Sequence, residues 1–261
     1  MLALARWWTA WRERAALRRR PIPDSLWRRT LRDYPFLMHL TEVDQDRLRR
    51  QCSLFLDRKE FTGVRGFRVR DEVAVAVAAQ ACLPVLNLGL DMYDGVVGIV
   101  MHADHVVARR ESLGEDGVVH HYDEVLSGEA MDGGPVMLSW RDVTHAGALD
   151  EPAYNVVIHE FVHVLDMRDG VADGVPHLAN AQVQRQWITV MEAAFVRFVA
   201  QVDAGAPTLL DPYAATAPAE FFAVAAEVFF VTPRALRDEW PDVYALLAGY
   251  FGQDPAFTSR V

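Results

Sequence analysis

The sequence predicts an α+β protein in which short β-strands lie between two helical blocks. The first third holds apolar residues at helical spacing, and the middle third holds short β-rich runs separated by Gly and Asp turns. The last third returns to long helical stretches. Strands placed between helical blocks favour an α+β fold. At 261 residues the chain is long enough to bury a sizeable core.

The N-terminal segment is basic, although the chain as a whole has a net charge of -10. Residues 1–33 hold nine Arg against three acidic residues, and Trp7, Trp8 and Trp11 lie among the arginines. A solvated basic helix is the simplest interpretation, and a partner-binding or membrane-surface segment is the alternative. We predict a basic helical arm over residues 1–40 and a main domain over residues 41–261. The acidic balance opposes direct binding of nucleic acid.

Three further helices are predicted before the middle β-rich runs. A helix starts after the break at PIPD, and Thr41 opens an amphipathic helix. The stretch DEVAVAVAAQACLPVL begins with acidic residues and has a Pro near its end, which favours a buried helix despite its alternating valines. Cys52 and Cys82 fit neither a metal knuckle nor a disulfide framework, so we expect buried free thiols.

The middle and last thirds predict a small sheet followed by helices. The β-rich runs are GVVGIVMH, HVVARRE, GVVHHYDEV and GPVMLSW. In DEPAYNVVIHEFVHVLD the order Asp, Glu, Pro indicates a helix start. Further helices are expected at about 180–201, 218–230 and 240–251. The sequence has neither a secretory signal nor a run able to span a bilayer, which favours the cytoplasm.

The stretch NVVIHEFVHVLDMRDG, residues 155–170, carries the strongest chemical pattern. His159 and His163 are four residues apart, so on a helix they project from one face and can converge on one Zn²⁺ ion. Glu160 lies beside them, placed to act as the general base, as in the H-E-x-x-H pattern of zinc peptidases. The alternative is a core helix with two satisfied histidines. Burying these three polar groups among Val and Phe without a shared purpose would be costly.

Zinc needs a third protein ligand, which the residues directly after the motif do not supply. The stretch DPYAATAPAEFFAVAAEVFF offers Glu220 and Glu227, which are seven residues apart on nearly one helix face. Metal ligation would explain a carboxylate in so apolar a helix, and a surface or capping role is the alternative. Asp166 shares the face of the two histidines. It could orient one of them by accepting its distal N–H, or be a polar residue at the helix end.

Six motifs spread along the chain point to one known family. They are HEFVHVLD, YAATAPAEFFAV, RRRPIPDSLWRR, AQACLPVL, LSGEAMDGGPVMLSW and DMRDGVADGVP. Together they resemble the Mlc titration factor A family of bacterial zinc metallopeptidases, and the resemblance covers most of the chain. The catalytic core also resembles that of anthrax lethal factor, in which a tyrosine precedes the liganding glutamate by seven residues. In this sequence that pair is Tyr213 and Glu220.

The resemblance implies a gluzincin with a zincin-like core, in which the H-E-x-x-H helix accompanies a small mixed sheet after a helical N-terminal region. It selects Glu220 as the third ligand of one Zn²⁺ per chain and leaves Glu227 to support the ligands. It gives Tyr213 the role of donating a hydrogen bond to the developing oxyanion. It also implies that an edge strand near the metal pairs with extended substrate, and GPVMLSW is the expected strand.

The expected function is therefore zinc-dependent, aminopeptidase-like hydrolysis of peptides, with water activated by zinc and deprotonated by Glu160. A first alternative is a non-catalytic binding protein, because the family name records sequestration of the glucose-uptake repressor Mlc. A protein that only sequesters a Mlc-like sugar-uptake repressor would not need Glu160. Binding of such a repressor could also regulate the peptidase. A second alternative, a zinc-stabilised structural domain, would favour four protein ligands in a closed site.

Overall fold

The structure of the chain, a computed structural model, describes residues 13–113, 119–147 and 153–257, and the side chains of residues 106–126 are not described. Trp7, Trp8 and Trp11, which belong to the predicted basic arm, lie outside these ranges. The described chain is α+β, with one strand, Glu60–Gly63, inside the N-terminal helical block and the other strands between the two helical blocks. The predicted fold class is confirmed at this level.

In the N-terminal block of the described chain, residues 13–19 are helical and three longer helices follow. They are α1 (Asp24–Asp33), α2 (Glu42–Arg58) and α3 (Asp71–Cys82). Each begins where the sequence predicts, and Thr41 caps α2 because its side-chain oxygen accepts a hydrogen bond from the Asp44 N–H. Helix α1 packs against α3, and its Trp27 is buried. The division of the chain at residue 40 stays a prediction.

The valine-rich stretch is a helix, as expected, and most of α3 is buried. Its alternating valines do not form a strand because the helix is covered on nearly all sides, so that period-two and period-3.6 positions are both buried. Cys52 on α2 and Cys82 on α3 are buried free thiols, which confirms that prediction.

The strands form one four-stranded mixed sheet and one hairpin. They are β1 (Glu60–Gly63), β2 (Gly98–His102), β3 (Val106–Leu113), β4 (Val119–Leu126), β5 (Gly128–Ala130) and β6 (Val136–Ser139). The sheet has the order β1-β2-β6-β5, in which β1, β2 and β6 are parallel and β5 is antiparallel to β6. Strands β3 and β4 pair only with each other among the described residues.

The expected edge strand is wrong. GPVMLSW contains β6, and β6 pairs with β2 on one side and with β5 on the other. The short strand β5 takes the edge because the chain turns back after it and pairs it with β6 alone in the described sheet. No strand is predicted in the stretch LSGEA, yet it contains β5 and therefore supplies this edge of the sheet.

The remaining helices follow the sheet. They are α4 (Trp140–His145), α5 (Val156–Asp166), α6 (Ala181–Asp203), α7 (Pro218–Val231), α8 (Pro233–Glu239) and α9 (Pro241–Phe251). The three long helices predicted after the motif are confirmed, and α8 is an additional short helix between two of them. None of the helices in the described ranges is long and apolar enough to cross a membrane.

The motif helix α5 lies in the middle of the core. It contacts α3, α7, β5 and β6. Phe161 anchors it on the side of the N-terminal block, because its ring meets Tyr93 at 4.8 Å and Phe55 at 5.7 Å between ring centroids, both edge to face. Helix α7 is buried along almost its whole length. Two rigidly packed helices therefore hold the polar residues of the site.

Candidate metal centre

The motif helix begins later than the Asp-Glu-Pro signal suggests. Asp150, Glu151 and Pro152 lie outside the described residues, and α5 begins at Val156. Asn155 caps it, since its Oδ1 accepts a hydrogen bond from the Ile158 N–H at 3.0 Å.

Two imidazoles and one carboxylate converge between α5 and α7. The Nε2 atoms of His159 and His163 are 3.1 Å apart, and Oε2 of Glu220 lies 3.0 Å from the first and 3.3 Å from the second. Each of these side chains is mostly buried, with 14% of both histidines and 19% of Glu220 exposed. The structure therefore brings together the three residues proposed as ligands, at a place that solvent can still reach.

Glu227 contacts the other side of the first histidine. His159 Nδ1 donates a hydrogen bond to Glu227 Oε1 at 2.8 Å, and the Asn155 N–H donates to Glu227 Oε2. A histidine whose Nδ1 carries the proton presents a lone pair at Nε2, so Glu227 sets the tautomer that a metal ligand requires. Glu227 thus lies where a residue supporting the ligands is expected.

The electrostatics of this cluster favour a cation. Burial alone would lower the pKa of His159, but the carboxylates of Glu220 and Glu227 outweigh it and hold that pKa well above its usual value. Burial would raise the pKa of Glu220, but hydrogen bonds with His159 and His163 lower it to about 2. The carboxylates around His159 therefore favour positive charge at this place.

The geometry fits a divalent metal. Donor atoms held tetrahedrally about 2.0–2.1 Å from one zinc ion lie about 3.3 Å from one another. The three observed separations, 3.0, 3.1 and 3.3 Å, are close to that value. Two imidazole lone pairs and a carboxylate oxygen at such distances repel one another unless a proton or a metal ion lies among them. The His159, His163 and Glu220 side chains can therefore hold a metal ion.

Glu160 follows the first histidine and points toward the sheet. It is 6% exposed, and burial raises the pKa of its carboxyl group. The backbone N–H of Ala130 on β5 counteracts part of this by stabilising the charged carboxylate. Glu160 is absent from the group of converging donors, so its carboxylate is left for another role.

A largely apolar cavity of about 620 Å³ opens beside these residues. His159, Glu160 and Glu227 form part of its wall, and β5 contributes Gly128. Much of the remaining wall is the segment before α7 and one face of that helix. These residues are Thr208, Leu209, Leu210, Asp211, Pro212, Tyr213, Val224 and Val228. The cavity gives a molecule of peptide size access to the cluster.

Tyr213 lies at the mouth of this cavity. It is 51% exposed, and its ring centroid is 6.3 Å from that of His159. A short 3-10 turn over Pro212–Ala215 holds it, and Asp211 caps this turn by accepting the Tyr213 N–H at 2.8 Å. The phenol is thus near the cluster and reachable from solvent.

Asp166 does not contact the imidazoles through a hydrogen bond. Its Oδ2 accepts the Gly174 N–H at 2.8 Å, and its Oδ1 has no hydrogen-bond partner among the described residues. Burial raises its pKa to about 6. Glu227, which the resemblance left to support the ligands, contacts a histidine, whereas Asp166, the carboxylate expected to orient one, holds the chain that follows the helix.

Gly128 and the cap residue Asn155 are not among the residues predicted from the sequence. Asn155 directly precedes an apolar helical stretch, which is a recognisable cap signal. A glycine within a strand can mark a close approach of two chain segments, and that signal was present in LSGEA. Which segment approaches it becomes apparent only in the fold.

Comparison with known proteins identifies a family that this chain matches. Residues 8–252 match the model of the family described as glucose-regulated metallo-peptidase M90. An uncharacterized protein of Synechocystis sp. is 34% identical over 250 residues, which is 95% of this chain and 90% of that protein. Mlc titration factor A of Cronobacter sakazakii is 33% identical, over 87% of this chain and 86% of its own length. The relative of that name from Escherichia fergusonii is also 33% identical, with 87% and 85% covered.

The resemblance stated from the motifs is therefore confirmed over nearly the whole sequence. With a family match spanning residues 8–252, the chain belongs to the glucose-regulated metallo-peptidase M90 family.

Proposed function

We propose that this protein is a zinc-dependent peptidase that holds one Zn²⁺ per chain through His159, His163 and Glu220. The convergence of three donor atoms within 3.3 Å of one another, in a solvent-reachable cluster, carries the proposal. A structural zinc site would be closed by a fourth protein ligand, whereas only these three donors converge in the described part of the chain. Two imidazoles and a carboxylate are a donor set that zinc favours.

The chemistry divides between the metal and Glu160. Zinc, when bound, supplies Lewis acidity that acidifies water and polarises a carbonyl group. Glu160 takes a proton from the attacking water and passes it to the amine that leaves when the C–N bond breaks. Its burial favours this double role, because a desolvated carboxylate with a raised pKa accepts and returns a proton more readily at neutral pH.

Two other side chains support the reaction. Tyr213 donates a hydrogen bond from its phenol to the oxygen on which negative charge develops, and its position near His159 suits that role. Glu227 holds His159 in the tautomer whose Nε2 lone pair faces the ligand cluster. Asp166 fixes the loop after the helix through Gly174.

The cavity and the sheet edge suggest how peptide is bound. Strand β5 pairs only with β6 among the described strands, and Gly128 on it also lines the cavity. An extended substrate can therefore add to β5 through main-chain hydrogen bonds while an apolar side chain enters the cavity. Aminopeptidase-like action and a cytoplasmic location are further parts of this proposal, and they rest on the family resemblance.

A second candidate is partner binding. Relatives of this chain carry the name Mlc titration factor A, which favours an interaction with a Mlc-like transcriptional repressor. Such binding could regulate the peptidase or, as the alternative function, sequester the repressor without catalysis. The basic arm over residues 1–40 is one surface on which it could occur. An intact Glu160 beside the three donors favours catalysis over sequestration alone.

Cleavage of a mixed peptide library by the purified protein, followed by mass spectrometry, tests the proposal. The wild type is compared with Glu160→Gln, with metal-stripped protein and with stripped protein to which zinc is returned. We expect products from the wild type and the zinc-restored protein only, and the product ends distinguish amino-terminal trimming from internal cleavage.

The Glu160→Gln variant keeps the three proposed ligands, so its zinc content should equal that of the wild type. Substantial cleavage by this variant would refute Glu160 as the base. Zinc binding without cleavage by any of the proteins would favour the repressor-binding function instead.

A further inference from the structure

Gly128 on the edge strand lies against the carboxylate of Glu160. A Cβ atom added at Gly128 would lie 2.6 Å from both Cγ and Oε1 of Glu160 and 2.9 Å from its Cδ. Real Cβ atoms essentially never come this close to other heavy atoms. The Glu160 side chain therefore occupies the volume that any other residue at position 128 would need.

Neither backbone can move easily to make that volume available. Gly128 pairs with the buried Leu138, and the Ser127 carbonyl accepts the Ser139 N–H at 2.9 Å, so β5 is tied to β6. On the other side Phe161, the next residue of α5, is fully buried. An added methyl group would have to displace the Glu160 side chain itself, because both segments that carry the two residues are fixed by the core.

The surroundings of the Glu160 side chain are filled on most sides, and its open side is the cavity. The side chain is 6% exposed, between α5 and the sheet edge, and the open volume beside it is the substrate cavity that it shares with Gly128. A displaced carboxylate would leave its present position beside β5 and turn into the cavity or away from the cluster. The reaction needs this carboxylate within hydrogen-bond reach of the water that attacks.

We propose that Gly128 is a positioning residue. Because it has no side chain, the Glu160 carboxylate can lie directly against edge strand β5. Gly128 acts through Glu160 and does not touch the reacting atoms. This inference rests on the proposed peptidase function. It explains why β5 has a glycine at the position where it lies against the side chain of the base.

Gly128→Ala tests this role in the zinc-loaded, full-length protein. We expect kcat to fall by about 10- to 100-fold, since a displacement of about 1 Å in a catalytic group has an effect of this size. KM should change by less than about twofold and zinc should stay at one per chain, because the substitution leaves the three proposed ligands intact. Gly95→Ala is the matched control, since no heavy atom lies within 4 Å of a Cβ at Gly95.

A double-mutant cycle on thermal stability tests the contact without using activity. Gly128→Ala should lower the Tm by roughly 3–8 °C in the wild-type background, as overpacking does in a rigid site. In a Glu160→Ala background the same substitution should have almost no effect, because Cγ, Cδ and Oε1 are then absent.

Each outcome decides one question. An equal loss of Tm in both backgrounds would refute the contact between position 128 and the Glu160 side chain. A Gly128→Ala enzyme with wild-type kcat would refute the positioning role but not the proposed peptidase function. A wild-type protein that cleaves no peptide would refute the proposed function and, with it, the catalytic part of this inference. The Tm cycle would still report whether Gly128 and Glu160 share this space.

Discussion

A buried carboxylate lies at each end of helix α5, but the two carboxylates accept different hydrogen bonds. At the N-terminal end both oxygens of Glu227 accept hydrogen bonds, one from His159 Nδ1 and one from the Asn155 N–H. At the C-terminal end Asp166 accepts the Gly174 N–H through Oδ2, while its Oδ1 has no hydrogen-bond partner in the described part of the chain. Burial raises the pKa of both groups.

Glu227 contacts a proposed metal ligand, whereas Asp166 holds the backbone that follows the helix. The N-terminal end gathers Glu227, Glu220 and His159 into one cluster, whose negative charge favours a cation. The C-terminal end acts through backbone, because Gly174 also accepts the Trp187 Nε1–H at 2.8 Å and lies against the carbonyl of Pro218 at the start of α7. A bound cation should therefore depend strongly on Glu227 and weakly on Asp166.

Removing a proposed ligand should have the largest effect. We expect His163→Ala to lower zinc affinity by about three orders of magnitude and to abolish peptide cleavage, because one of three protein ligands is lost. Competition with a zinc chelator of known affinity measures this. His177→Ala, an exposed histidine away from the cluster, is the control. Near-wild-type affinity in His163→Ala would remove His163 from the ligand set.

Changing the carboxylate that orients His159 should have the next largest effect. Glu227→Gln keeps the shape of the side chain but removes its charge and turns an amide group toward one of the two N–H donors. We expect zinc affinity to fall by about 100-fold, at the upper end for residues that support a ligand. Glu192→Gln, an exposed glutamate on α6, is the matched variant. Equal zinc affinity in both variants would contradict this role for Glu227.

Tyr213 should affect the rate without affecting the metal. Tyr213→Phe removes only the phenolic oxygen, so zinc content and KM should stay close to those of the wild type. We expect kcat to fall by about tenfold, less than for a fully buried oxyanion donor, because the tyrosine is half exposed. Steady-state kinetics on the best library peptide measures it, and an unchanged kcat would remove Tyr213 from the reaction.

The C-terminal end should show the smallest effect, as a pH dependence of stability. The pKa of Asp166 is raised to about 6 in the folded protein, so folding favours its protonated form. This contribution is fully present below the unfolded-state pKa of 3.8 and is lost as the pH rises through about 6, because the unfolded chain ionises before the buried carboxyl group does. From pH 5 to pH 7.5 it should destabilise the metal-free wild type by about 1 kcal/mol relative to Asp166→Asn. Urea unfolding at several pH values measures it, and a constant difference between the two proteins would contradict it.

The sequence predicts the parts of the site that depend on helical periodicity. His159 and His163 share a face because they are four residues apart, and Glu220 and Glu227 share one because they are seven apart. Both pairs lie in long apolar stretches whose helical nature is clear from the sequence alone. Their convergence on one point rested on the family resemblance.

The parts that depend on tertiary pairing were missed or misplaced. Strand β5 is three residues long, and only its pairing with β6 makes it the sheet edge. The close approach of Gly128 to Glu160 joins residues far apart in sequence, so no local pattern contains it. Asp166 lies on the predicted helix face, but its carboxylate accepts a hydrogen bond from the Gly174 N–H of the following loop, and not from an imidazole of the described chain.

Anomalous diffraction from crystals of the zinc-loaded protein, recorded at the zinc edge, tests the central claim most directly. We predict one strong peak per chain, about 2.0–2.2 Å from Nε2 of His159, Nε2 of His163 and a carboxylate oxygen of Glu220. His159 Nδ1 should remain bonded to Glu227. A peak elsewhere in the molecule, or none at full zinc loading, would contradict the proposed metal centre.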